Sequence, residues 1–303
     1  MARRRAVPQK SGFLNIDKPP GWTSHDVVAR VRRIVGERRV GHAGTLDPAA
    51  TGVLPVAVGH ATKVISYLEQ DDKTYLATLR FGIETDSGDR DGRLTSLALA
   101  EHLDAATVGN VLVRYVGLQS QTPPMHSAVR VEGRRLHDLA RKGEIVDIPV
   151  RTIEIYRCEL VSWSPPEAEL LVTCSKGTYI RSLVRDIGRD LGCGATLTNL
   201  VRVRAGAFHL RSSISIHDLE PALAASSWGW IALHPDFAMS GCDIAVLTPE
   251  EEQRWANGQE IARSGVAGNV RVYGANRQWA GTGVFDADAG VVRPTRVIPG
   301  NRP

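Results

Sequence analysis

No two cysteines in this 303-residue chain lie close enough in sequence to form a C-x-x-C pair. The four thiols, Cys158, Cys174, Cys193 and Cys242, are scattered, which argues against a structural zinc site. Apolar or glycine-rich neighbours suit reduced, buried thiols, and the expected location is the cytoplasm. Nowhere do eighteen apolar residues run together, so no helical membrane span is expected. The basic start, Met1-Ala-Arg-Arg-Arg, lacks the apolar segment of a secretory signal. G-x-G-x-x-G, G-x-x-x-x-G-K-[ST], H-E-x-x-H and G-x-S-x-G are all missing, so nothing points to a bound nucleotide cofactor, a metalloprotease or a serine hydrolase. Asp86-Ser87-Gly88 has the wording of an aspartic-protease triplet, but it has no second copy, and that chemistry needs two carboxylates.

Lysine is also scarce. Only six of the 37 basic residues are lysine, and the net charge is +4. Arginine suits phosphate and stacked-base contacts, although a GC-rich genome gives the same bias with no function attached. The length allows one large domain or two smaller ones with a substantial core. Residues 1–11 read as a flexible basic tail. Phe13 to Ile16 is a short strand, and Thr23 or Ser24 caps a helix that buries Val27, Val28, Val31 and Ile34. Val53 to Val58 is a buried strand, a short helix spans Thr62 to Leu68, and Lys73 to Arg80 alternates as a strand with Tyr75, Ala77 and Leu79 on one face. Glu84 to Gly92 is an acidic loop, and a helix is expected near Ala98 to Tyr115. Ala128 to Val131 is a strand, followed by a basic helix over Arg134 to Lys142. Strands follow near 150–164 and 168–175, then a helix over Thr178 to Leu191 that Gly192 ends. Strands near 197–203 and 206–210 close this unit, and connecting helix occupies Pro221 to Ser240. From Asp243 onward short apolar runs alternate with glycine turns, the texture of a small β-rich domain.

Three stretches hold more polar and special-geometry residues than folding requires. In Gly41-His-Ala-Gly-Thr-Leu-Asp-Pro-Ala-Ala-Thr-Gly52, three glycines permit unusual backbone and Pro48 pushes Asp47 toward an extended conformation. Asp47 is therefore held, though an Asp-Pro turn without chemistry has the same local pattern. Ser175-Lys-Gly-Thr-Tyr-Ile-Arg181 joins a strand end to a helix N-terminus, a place that suits anions. In Asp72-Lys-Thr-Tyr75 the tyrosine lies on an apolar strand face, where a core residue also belongs, and its hydroxyl needs a partner if buried.

Taken together these stretches resemble the TruB family of pseudouridine synthases. The resemblance runs through Ile16-Asp17-Lys18-Pro-x-Gly21-x-Thr-Ser24, the Gly41–Gly52 loop with Val-Leu-Pro after it, and Lys73-Thr-Tyr75. It continues through Thr85-Asp86-x-x-Asp89, Pro123-Pro124-Met125-x-Ser127-Ala, and Ser175-Lys-Gly-Thr-Tyr179-Ile-Arg181-Ser-Leu. Six motifs in the family's order across about residues 12 to 205 are far more specific than any one alone. Position 126 departs from the pattern, with histidine where the family often has tyrosine.

The resemblance implies a mixed α/β pseudouridine synthase fold with a central, mostly antiparallel sheet. It implies a catalytic domain over 12–240 with an RNA-binding insert at about 125–150, and a PUA-like RNA-binding domain over 243–303. Asp47 would be the nucleophile, Tyr75 would stack on the flipped base, and Arg181 would pair with the Asp47 carboxylate. Tyr179 would shape the pocket, His42 would act near the vacated nucleotide, Asp89 would contact the flipped nucleotides, and Leu200 would pack on the base. Lys18 and Lys63 would support the loop or touch RNA. Arg130, Arg134, Arg135, Arg141 and Lys142 would make the insert a phosphate-gripping element. The implied reaction is conversion of uridine 55 in the tRNA T-loop to pseudouridine by a monomer, with no cofactor, metal, guide RNA or protein partner. A tRNA-folding chaperone with catalysis secondary is the alternative. Whether Asp47 attacks C1′ or assists a glycal intermediate is open at this level.

Overall fold

The computed structural model describes residues 10–125, 127, 130, 131, 134–136, 146–265 and 268–298. The basic tail up to residue 9, His126, Arg141 and Lys142 lie outside the described residues, and of the insert arginines only Arg134 has a described side chain.

Phe13, Leu14 and Ile16 place an apolar core in β1 (Gly12–Lys18). Helix α1 (Ser24–Val35) starts where Thr23 and Asp26 form a capping box, each side chain accepting from the other's backbone N–H, and stops at Gly36 in the left-handed region. It buries Val27, Val28, Val31 and Val35 against Leu14, Ile16, Leu54 and Val56. After α1 come β2 (Val40–His42) and β3 (Thr51–Val58), the latter buried along nearly all its length, as an unbroken apolar run requires. A 3-10 turn and α2 (Ile65–Glu69) lead to β4 (Lys73–Phe81), whose alternation places Tyr75, Ala77 and Leu79 in the core as expected.

Next come β5 (Ile83–Thr85), β6 (Leu94–Leu97), α3 (Ala105–Val113), β7 (Gly117–Gln121) and the short pair β8 (Arg130–Val131) and β9 (Arg134–Arg135). Then follow β10 (Arg151–Ser164), β11 (Glu167–Cys174), α4 (Ile180–Asp190), β12 (Ala195–Ala205), β13 (Phe208–His209) and β14 (Ile214–Ser215). The large sheet runs β14-β1-β3-β12-β4-β11-β10-β7, with β2 on β3 and β13 on β12. Only β1–β14 and β3–β12 are parallel, so the sheet is mostly antiparallel, as expected. Helix α4 packs on it so closely at Gly188 that a Cβ there would lie 2.2 Å from the Ala195 nitrogen.

Three sequence expectations change. The helix expected from Ala98 begins only at Ala105: Asp104 caps it, and Ala98 N donates to Gly82 O, continuing the hairpin of Leu94–Leu97 with Ile83–Thr85. That hairpin also removes Glu84 and Thr85 from the acidic loop. Arg134 and Arg135 are not helical: they pair with Val131 and Arg130.

After the connecting helices α5 (Leu219–Ala225) and α6 (Trp228–Ile231), a second sheet forms from β15 (Asp243–Val246), β16 (Ile261–Ala262), β17 (Gly268–Tyr273), β18 (Trp279–Asp286) and β19 (Val291–Val297). Helix α7 (Pro249–Ala256) was not anticipated, although Thr248-Pro-Glu-Glu251 spells its capping box. Its Trp255 is the centre of this domain's core and donates its indole N–H to Ala280 O at 3.0 Å. Among the described residues no helix is long and apolar enough to cross a membrane.

A buried carboxylate ties the second sheet to the rest. Asp236 accepts a hydrogen bond from the Tyr273 hydroxyl, faces the His234 ring and lies 3.4 Å from the Arg271 guanidinium. Burial raises its pKa, but the hydrogen bonds and the Arg271 charge outweigh that and hold it at about 2, below the ordinary 3.8. A carboxylate with a depressed folded-state pKa contributes stability that is complete above its unfolded value and is lost as pH falls through the folded one. Asp236→Asn is therefore expected to lower Tm at pH 7 and to flatten the acid limb of the stability profile between about pH 4 and about pH 2. An acid limb identical to wild type in thermal melts would refute this role.

Candidate active site

The loop from Gly41 to Gly52 is clamped from several sides, and the clamps come from distant parts of the chain. Ser24, in the first turn of α1, accepts from Leu46 N at 2.9 Å and donates to Leu46 O at 3.2 Å. Pro48 O accepts from Gly21 N and from the Lys18 ammonium at 3.0 Å. Asp47 O accepts from Ala50 N, closing a turn. Gly44 O accepts from the Arg202 guanidinium at 2.8 Å. Asp47 is thus flanked on both sides by fixed backbone, while its side chain is 45 % exposed. The carboxylate is held in place and still reachable.

Arg181 faces it. The Tyr179–Arg181 segment starts α4, and the guanidinium, only 6 % exposed, places Nε 3.1 Å from Asp47 Oδ2. Its Nη1 donates to Ser87 O at 3.0 Å and lies 3.5 Å from Asp89 Oδ2. Asp89 is held in turn by the Ser87 hydroxyl and Asp91 N. One planar side chain therefore bridges the Asp47 loop and the Ser87–Asp89 turn, a geometry that suits arginine.

Tyr75 and Leu200 form one wall with Leu46, Ala50 and Ile180. Burial drives the Tyr75 phenol well above its usual pKa, and the nearby Arg202 charge only partly opposes this, so the hydroxyl keeps its proton at neutral pH. Tyr179 is fixed through its backbone: the Gln121 side chain accepts from its N–H at 2.8 Å and donates to its carbonyl at 3.1 Å. Its ring packs on Leu136, as Val146 and Ile148 also do, so the described edges of the insert reach the site through this tyrosine.

His42 lies at the end of β2 with its ring 5.4 Å from that of His25. Burial, then the His25 and Arg202 charges, push its pKa down to about 4, so it is neutral at pH 7. Its buried Nδ1 has no hydrogen-bond partner among the described residues.

Lys18 sits apart from the cleft surface. It is completely buried, its pKa is lowered by burial to about 8, and it donates to the Pro19, Trp22 and Pro48 carbonyls. Lys63 likewise donates to Val297 O at 2.6 Å in the second domain. Asp47, Tyr75, Arg181, Asp89 and Leu200 are thus brought together. Lys18 supports the loop from below, and Lys63 joins the two domains. Arg134 is exposed on the β8–β9 hairpin.

Sequence reading missed Ser24 as a clamp, Gln121 and Arg202. Ser24 belongs to a motif but read as a helix cap. Gln121 and Arg202 are single residues within strands, and no local pattern marks them.

Residues 32–180 match the family described as TruB family pseudouridylate synthase (N terminal domain). Residues 181–229 match the tRNA pseudouridylate synthase B C-terminal domain, and residues 245–298 match Pseudouridine synthase II TruB, C-terminal. The tRNA pseudouridine synthase B of Trichormus variabilis is 42 % identical over 95 % of this chain and 98 % of its own. That of Gloeobacter violaceus is 43 % identical over 95 % and 99 %. Among solved structures, an H/ACA RNP bound to a substrate RNA containing 2'-deoxyuridine superposes with a TM-score of 0.72 at 24 % identity. It covers 96 % of this chain and 86 % of that one, a likeness of fold.

Proposed function

The chain belongs to the TruB family of pseudouridylate synthases, and from that premise we propose that it converts uridine to pseudouridine in tRNA, at position 55 of the T-loop, without a guide RNA. The observation that carries the reading is the reachable Asp47 carboxylate ion-paired at 3.1 Å to the buried Arg181, beside the Tyr75 wall. The reaction breaks the N1–C1′ bond, turns the base and joins C5 to C1′. The hydrogen on C5 leaves and N1 gains one, so no electrons are exchanged. Asp47 is the group that attacks C1′ or assists a glycal, and Arg181 aims its carboxylate.

The base must leave its stack first, which costs a few kcal/mol. Stacking on Tyr75 and packing against Leu200 offset this, at roughly 1–3 kcal/mol per stacked base. Tyr179 shapes the pocket mouth, Asp89 meets the flipped nucleotides, and the neutral His42 fills the gap left in the RNA. Residues 12–240 carry catalysis, and residues 243–303 form an RNA-binding domain. The protein acts as a cytoplasmic monomer with no protein partner.

Purified protein incubated with tRNA transcript, and separately with a bare T-arm hairpin, is expected to yield pseudouridine at position 55 in both. No product with either RNA would sink the reading, and product only after adding a second RNA would remove its guide-free part. The basic insert also grips phosphate. Arg134→Gln is expected to weaken tRNA binding and reduce the slope of log affinity against log salt by about one. A slope equal to wild type would mean that Arg134 makes no phosphate contact.

A further inference from the structure

Arg202 is 1 % exposed and among the largest fully buried side chains. Among the described residues, no carboxylate lies within 4.0 Å of it. A buried cation without an ionic partner is costly, and a well-packed apolar residue usually serves the fold better. What it does have is two backbone carbonyls from separate segments. Nε donates to Val53 O at 2.7 Å and Nη2 donates to Gly44 O at 2.8 Å.

The sheet order explains how one side chain reaches both. Arg202 lies on β12, between β3 and β4. It is in register with Gly52 on one side and with Tyr75 on the other. The strand that ends the Asp47 loop and the strand that carries the tyrosine are therefore spaced by this residue. The loop's glycines fit the same picture. Gly52 has φ +96°, and a Cβ there would lie 2.3 Å from Arg202 O. Gly44 has φ +78°, and a Cβ there would lie 3.2 Å from Arg202 Nη1. Both take backbone conformations that favour glycine while the loop rests directly on Arg202.

We propose that Arg202 is a positioning residue for the isomerisation: its guanidinium fork holds the Asp47 loop at a fixed distance from the strand that carries Tyr75. The proposal rests on the reading of Asp47 as the reacting group. Arg202→Lys keeps the charge but offers a single donor point in place of a planar fork. With enzyme in excess over tRNA, its single-turnover rate is expected to fall about 100-fold, the scale of a misplacement near 1 Å. The tRNA Kd is expected to stay within about twofold. Arg202→Gln, which keeps donors without charge, is measured beside it and is expected to lose at least as much rate.

A purely structural role predicts something else: a lower Tm, with each folded, tRNA-bound molecule reacting at the wild-type rate. A single-turnover rate within threefold of wild type for Arg202→Lys would overturn the proposal. So would failure of both variants to fold, since Arg202 would then belong to the fold and not to the site. Asp47→Asn run in parallel separates the two readings. If it turns over like wild type, the nucleophile assignment fails. If it is inactive while Arg202→Lys is unimpaired, the positioning proposal alone fails.

Discussion

Asp47→Asn is expected to abolish measurable pseudouridine formation, a loss of about 10⁴-fold or more, while tRNA affinity stays within about twofold. The size follows from the chemistry. An amide is almost isosteric with a carboxylate, but it can neither attack C1′ nor stabilise positive charge at that carbon. At about 1.4 kcal/mol per factor of ten, the loss corresponds to some 5.5 kcal/mol of transition-state stabilisation. Affinity is spared because the Asp47 side chain is one small, 45 % exposed group within a larger RNA contact surface. The fold is spared because the loop is held through Leu46, Pro48 and Gly44 backbone atoms, not through the carboxylate. Single-turnover assays with a parallel binding titration check this, and turnover comparable to wild type would remove Asp47 from the mechanism. The same variant in a tRNA-annealing assay distinguishes catalysis from chaperoning. Retained annealing means that the two roles coexist, and lost annealing counts against a separate chaperone role.

Arg181→Lys is expected to lower the rate by about 100-fold with little change in tRNA affinity. The guanidinium serves Asp47 with one nitrogen and the Ser87–Asp89 turn with another. A lysine ammonium is one point on a flexible stem and cannot hold both in the same geometry. With Asp47 free to rotate, reacting atoms miss alignment, and misplacement on the scale of 1 Å costs about 10²-fold. The variant also weakens the bond to the half-buried Ser87 carbonyl, at about 1 kcal/mol, so Tm is expected to fall by a few degrees. Rate per folded molecule, taken from single turnover after correcting for the folded fraction, is the decisive measurement. A corrected rate equal to wild type would show that the planar fork at this position is unimportant.

Much of this site was legible before any fold was known. The glycines, Pro48 and Asp47 announced a stiff loop with one held acid. The alternation of Lys73 to Arg80 put Tyr75 on the inner face of its strand, and the strand-to-helix junction at Tyr179–Arg181 marked an anion-friendly helix start. Local rules reach such features because turn chemistry, two-residue alternation and helix capping act over a few residues. They failed where a local pattern had competitors. Ala98 to Asp104 read as helix, but Ala98 bonds to Gly82 O beside the Leu94–Leu97 hairpin and Asp104 caps a later start. Arg134 and Arg135 read as helix until they paired with Val131 and Arg130.

The sequence by itself determined the chemical groups and the loop's stiffness: an acid, an arginine, a tyrosine and the glycines that let the backbone turn. Only the tertiary structure decided what holds them. Arg202 reaches Gly44 across 158 residues and Val53 across 149 because β12 lies between β3 and β4. Gln121 fixes Tyr179 across 58. A hydrogen bond depends on distance in space, and strand order sets that distance. No periodicity along the chain encodes it, so an arginine that read as an ordinary strand residue turned out to hold the Asp47 loop.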